Sequence, residues 1–266
     1  MINQAEVETI VQQHSGTRMF EELLCSSDSP MKILRLLALY AEFNFDAGPC
    51  IAALTAQITS QRSLFIDRSA TLFPDRSYEV ASCIFDAAVD EFVGRSKKHS
   101  MTHRDMVQRM VIVAARYYSV DSAVLAKMLD EEQPRLAEIS RRFGAGYGVG
   151  QPVDAESTFR AIGFHIGQEL CGHDEFNTLF NAMKAHHGDL YGFLQAERVS
   201  AWIVVHITAE QDHFEQAFMG VKRAFEYCTD DREELLNRCV LEGIEDFARV
   251  QREFMRLVAT PAAAAA

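Results

Sequence analysis

The chain has 266 residues, 48% hydrophobic and 24% charged, with 26 Lys and Arg against 38 Asp and Glu and a formal net charge of −12. That apolar share fills a sizeable core. Such an acidic balance lacks the positive field that phosphate backbones require, which argues against nucleic-acid binding, and fourteen Gly and six Pro exclude a fibrous or low-complexity protein.

Helical periodicity runs through the chain. From Pro30, the segment Met31 to Tyr40 repeats apolar residues at three and four, with Pro suited to an early helical position. Ile51 to Ile58 follows a break at Asp46-Ala47-Gly48-Pro49. Tyr78 to Phe92, Met106 to Tyr118 and Ser122 to Phe143 give three more helical patterns. The glycine-rich stretch from Gly144 to Pro152 follows a charged helix rather than a buried strand, so it predicts a flexible helix connection, not a phosphate loop. Asp154 predicts an N-cap, with Glu156 in the first turn, for a helix reaching about Ala185. Another is expected to begin near Leu190 and carry Val199 to Phe225, and a last one spans Asp231 to Val258. Some eight helices without a sheet predict an all-α bundle, a single domain over residues 1–260 with a disordered alanine-rich tail at 261–266.

No apolar run approaches the ~20 residues that cross a bilayer. The first residues, Met1 to Glu6, lack the regions of a secretory signal. Six scattered cysteines (Cys25, Cys50, Cys83, Cys171, Cys228 and Cys239) form no Cys-x-x-Cys pair and read as small buried hydrophobes. A cytoplasmic protein without membrane contact is expected.

The nine histidines are the most informative residues. His206, Glu210 and His213 stand at i, i+4 and i+7, which at about 100° per residue puts them on one stripe of a helix. Two imidazoles and a carboxylate there supply donors for iron, manganese or zinc. Trp202, Ile203, Val205, Phe214, Ala217 and Phe218 make the same helix apolar enough to be buried. Three ionisable groups on a buried face are costly unless something compensates, and a metal would do so. The bland alternative is a solvated polar face.

Two other segments offer further ligands. Glu169 lies in the apolar, small-residue run from Phe164 to Gly172, where Gly167 and Gly172 allow close approach. His165 and His173, four residues to either side, share its face and are candidate hydrogen-bond partners or plain surface residues. Glu91 ends an apolar face in Asp90-Glu91-Phe92-Val93-Gly94. Beyond the basic run Arg95-Ser96-Lys97-Lys98, His99 and His103 stand a turn apart, and spacing alone does not separate them.

Together these segments resemble the heme-oxygenase-like diiron oxidases and oxygenases. The likeness covers roughly residues 30–225. It is carried by Asp90-Glu91-Phe92-x-Gly94 before His103-Arg104-Asp105-Met106-Val107, by Glu169, by the late His206-x3-Glu210-x2-His213, and by Leu39-Tyr40-Ala41-Glu42-Phe43. The resemblance implies a heme-oxygenase-like helical bundle around two irons, with Glu91, His103, Glu169, His206, Glu210 and His213 as ligands and His99 as the alternative to His103. Glu210 departs from the commoner Asp of that family, and the longer side chain changes the reach to a second, loosely held iron.

The implied activity is O₂-dependent oxidation of a small organic substrate, amino-acid-like or fatty-acid-like, by N-oxygenation, desaturation or carbon–carbon cleavage. Phe92, Phe164 and Trp202 are candidate substrate-lining residues, and Arg95, Lys97 and Lys98 candidates for a substrate carboxylate. The alternatives are a metal-free thiaminase-like relative and a non-catalytic helical binding module. A ferritin-like identity requires Glu-x-x-His on two helices, whereas only Glu210-Gln211-Asp212-His213 fits. A homodimer suits such a bundle, though nothing in the sequence marks an interface.

Overall fold

The computed structural model describes residues 2–93 and 101–261. Its elements, in order, are α1 (Gln4–His14), α2 (Thr17–Ser26), α3 (Pro30–Asn44), α4 (Ala47–Ser60), α5 (Ser77–Val93) and α6 (His103–Tyr117). There follow α7 (Ser122–Gly146), α8 (Ala155–His186), α9 (Gly188–Ala196), α10 (Ala201–Tyr227) and α11 (Glu233–Ala259). The architecture is all-α. Among the described residues there is no strand, and two isolated bridges, Phe65 to Cys228 and Ile66 to Asp75, tie down the α4–α5 connection. No helix among the described residues is long and apolar enough to cross a membrane.

Side-chain caps set several helix starts. Ser29 accepts from the Lys32 N–H with Pro30 in the first turn of α3. Asp154 and Ser157 form a reciprocal capping box at the start of α8. The Thr102 hydroxyl accepts from the Asp105 N–H, which makes His103 the first residue of α6.

The long helix α8 is the spine. It packs along α11 and α10 and also meets α1 and α2. A Cβ on Gly163 would run into the Val240 carbonyl, and one on Gly243 into that of Arg160, so the backbones of α8 and α11 meet where only glycine fits. On the other side of α8, α10 carries α5, which also packs on α4. The helix α6 closes this side against α3, α9 and α10. The candidate ligands lie in the space enclosed by α5, α6, α8 and α10.

Three expectations are revised. Residues before Pro30, left unassigned by pattern, form α1 and α2; the buried faces of these helices are only Val7 with Val11 and Phe20 with Leu24, too short a repeat to announce a helix. The helix expected from Leu190 through Phe225 is two. Arg198 adopts φ 59°, and the Val199 N–H turns back to the Leu194 carbonyl, ending α9 in a left-handed residue. The glycine-rich stretch does follow a helix, but Gly144 and Gly146 belong to α7 and the turn begins at Tyr147. There Gly148 has φ +78°, its Cβ space is taken by Gln57, and Gln57 donates to its carbonyl. Gly94, Arg95, Lys97, Lys98 and His99 lie outside the described residues, as does the tail after Pro261.

Candidate metal centre

The six candidate ligands form two groups of three. Glu91, His103 and His206 each present one donor atom within 4.8 Å of the others, and so do Glu169, Glu210 and His213. Five of the six side chains are buried and Glu91 is half-buried. Four elements contribute: the end of α5, the first residue of α6, the middle of α8 and one stripe of α10.

In the first group, Glu91 Oε1 lies 3.2 Å from His103 Nδ1 and 3.9 Å from His206 Nε2. His206 Nδ1 donates to the Trp202 carbonyl at 2.7 Å. A carbonyl only accepts, so that nitrogen carries the proton and Nε2 keeps a lone pair directed at Glu91 and Glu210. Phe176 stacks on the His206 ring, centroids 4.1 Å apart, and fixes its plane. Burial holds His206 below the ordinary imidazole range. Burial would also raise Glu91, but the adjacent imidazoles, His103 above all with its Nδ1 at 3.2 Å, outweigh it and keep that carboxyl at about 2. This group is therefore a carboxylate with a neutral, oriented imidazole.

The second group is charged differently. His213 Nδ1 faces Glu169 Oε2 at 3.4 Å, and its Nε2 lies 3.0 Å from Asp90 Oδ2. Burial opposes the charge on His213, yet the hydrogen bonds to Asp90 and Glu169 prevail and raise it to about 11. Burial and the adjacent Glu169 push Glu210 well up; Glu169, itself desolvated, is held down by His165 and His213. Glu210 connects the two groups, since its Oε1 lies 3.8 Å from His206 Nε2. Two glycines clear room for the carboxylates: a Cβ on Gly172 would come within 3.0 Å of Glu210 Oε2, and one on Gly48 within 3.0 Å of Glu91 Cβ.

The neighbours of the ligands are partly those expected. His165 is buried with Nδ1 3.2 Å from Glu169 Oε1 and 3.0 Å from the Tyr147 hydroxyl. Tyr147 in turn donates to Gln168 at 2.6 Å. His173 turns away, meeting Asn177 of its own helix. Asp90, Tyr147 and Gln168 were not singled out from the sequence. For Asp90 the signal existed, because it continues the apolar stripe of Val80, Cys83 and Ala87 on the buried face of α5.

A cavity of about 270 Å³ opens beside Glu91, His103, His206 and Glu210. Phe92 and Trp202 line it. Phe164 does not; it is buried among Phe143, Tyr147 and Phe247, because its position on α8 faces α7 and α11. Arg104 supplies a cationic wall, its guanidinium 4.4 Å above the Phe45 ring.

The chain matches no protein-family model, no curated protein and no solved structure. Its own geometry is what bears on function. The donor set suits a pair of transition-metal ions: three carboxylates neutralise charge and three imidazoles supply nitrogen. Glu169 Oε1 is buried without a hydrogen-bond donor, and the crowding of Glu169 against Glu210 is a cost that a bound cation removes.

Proposed function

We propose that the protein is a non-heme diiron oxidase or oxygenase of the heme-oxygenase-like kind, acting with O₂ on a small organic substrate. One observation carries this reading: six ionisable side chains from four helices, five of them buried, form two triads that Glu210 links. Glu91, His103 and His206 would hold one iron; Glu169, Glu210 and His213 the other. Bound there, the irons would supply the reduction of O₂ that drives oxidation of the substrate.

The remaining steps belong to the chain. The Trp202 carbonyl and Phe176 orient His206. Asp90 orients His213. Trp202, Phe92 and Phe45 keep the cavity apolar and exclude water, while Arg104 suits a substrate with an anionic group, such as an amino-acid-like or fatty-acid-like molecule. A thiaminase-like reaction through a thiol is less well supported, because burial raises Cys50 to about 12 and Cys171 well above its usual range.

The test is anaerobic loading with Fe(II), metal analysis, and mixing with O₂ while oxygen consumption and visible absorption are followed. Two irons per chain and a transient absorption band are expected, and both His206→Ala and Glu169→Ala abolish iron-dependent O₂ use. A wild-type chain that retains no iron, or O₂ use that survives both changes, overturns the proposal.

A further inference from the structure

The outer face of α5 carries an ordered apolar seam. Tyr78, Ser82, Phe85, Val89 and Phe92 stand at i, i+4, i+7, i+11 and i+14, the alternating four–three spacing of a helix-pairing seam. On a helix rising about 1.5 Å per residue they form one stripe roughly 21 Å long. None of them is buried: Tyr78 is 73% exposed, Phe85 47% and Phe92 51%. The opposite face of the same helix, with Val80, Ile84, Ala87 and Ala88, is the one that packs into the chain's own core.

Large exposed apolar side chains continue along the chain on either side of the seam. Leu72 and Phe73 in the loop before α5 are 75% and 86% exposed, and Val93 at its end is 65% exposed. Arg76 fastens that loop to the first turn of α5, donating to the Phe73 carbonyl and pairing with Glu79. Large apolar residues expose roughly 200 Å² each when free, so these six leave on the order of 800 Å² open. That exceeds what a monomer ordinarily leaves uncovered and matches the ~800 Å² per partner of a stable complex.

We infer that α5 is a homodimer interface, in which the Tyr78–Phe85–Phe92 stripe packs on the same stripe of a second copy of this chain. Area is one argument for this occupant. Self-complementarity is the other: the seam has its large residues at both ends and at its midpoint, so a twofold axis brings Phe85 against its own copy whether the helices run parallel or antiparallel. The packing also covers Phe92, one wall of the cavity, and braces the end of the helix that bears Glu91. The inference does not depend on the metal reading.

Sedimentation and light scattering of the full chain test it. A particle of twice the 29.9 kDa chain mass is expected, and Phe85→Glu should weaken dimerisation at least ~30-fold, the loss carried by an interface hot spot. Ile112→Glu, on the exposed face of α6 where Ile112 is 64% exposed, should leave the dimer intact. In a Cys25→Ser background, Phe85→Cys should form a disulfide-linked dimer on mild oxidation and Ile112→Cys should not. A monomeric wild-type chain at 100-fold dilution and at the highest soluble concentration alike overturns the inference. So does a dimer that Phe85→Glu leaves unchanged, or cross-linking through position 112 instead of 85.

Discussion

Asp90 on α5 reaches across to α10, where its Oδ2 lies 3.0 Å from His213 Nε2. The contact spans 123 residues of sequence and leaves the other ring nitrogen, Nδ1, facing Glu169 at 3.4 Å. A carboxylate behind an imidazole fixes which nitrogen carries the proton and makes the opposite one a better ligand. Asp90→Ala should therefore weaken metal binding at the Glu169–Glu210–His213 group by about 10- to 100-fold, leaving the Glu91 group unaffected. Calorimetric titration with Fe(II) or Mn(II), resolved into two binding steps, measures this.

The two groups should also load in a defined order. Glu91 is held ionised and His206 neutral, so the first group takes up a metal without shedding a proton from either. The second must release one from His213, raised to about 11, and one from Glu210, also raised. Metal binding competes with those protons, so second-site affinity rises with pH across the neutral range while the first site changes far less. Metal-to-chain ratios after equilibration at pH 6 and pH 8.5 check this: about one at low pH and about two at high pH.

Gly172 separates folding from metal binding. A Cβ there would press on the Glu210 carboxylate, the movable end of a flexible side chain, and on no backbone. Gly172→Ala should accordingly leave stability unchanged or raise it by up to about 1 kcal/mol through helix propensity, while weakening the second metal site tenfold or more. Thermal unfolding of the metal-free variant alongside metal titration reads both effects.

Glu175 gives the fold a pH dependence of its own. It is buried on α8, accepting from the Tyr40 hydroxyl and from Gln251 at 2.5 Å each. Burial, only partly offset by those bonds, raises it to about 7. The unfolded chain loses this proton near pH ~4.3 and the folded chain near 7, so over that interval stability falls as pH rises. The loss amounts to at most about 4 kcal/mol and is complete above the folded value. Glu175→Gln should flatten this part of the curve, as measured by denaturant unfolding from pH 4.5 to 8.

Much of the centre is legible in short stretches of sequence. The spacing of His206, Glu210 and His213 places three donors on one stripe of α10, because about 3.6 residues per turn governs any helix. The Asp154 box and the Ser29-Pro30 start are likewise local, since a cap needs only residues within one turn. Glu169 stood out because a lone carboxyl in an apolar, glycine-bearing run has no solvent to face.

Other features depend on which helices meet. Periodicity leaves His99 and His103 equivalent; His103, at the start of α6, lies 3.2 Å from Glu91, while His99 lies outside the described residues. Phe164 and Trp202 are both buried aromatics, yet only Trp202 walls the cavity, because the glycine contact of Gly163 with α11 turns the Phe164 side of α8 away from it. The sequence by itself determined the helices, their caps and the stripe of donors on α10, since each arises within a few turns of chain. Only the tertiary structure decided that Glu91, His103 and Asp90 face that stripe: their partners lie a hundred or more residues away, and long-range packing sets that register.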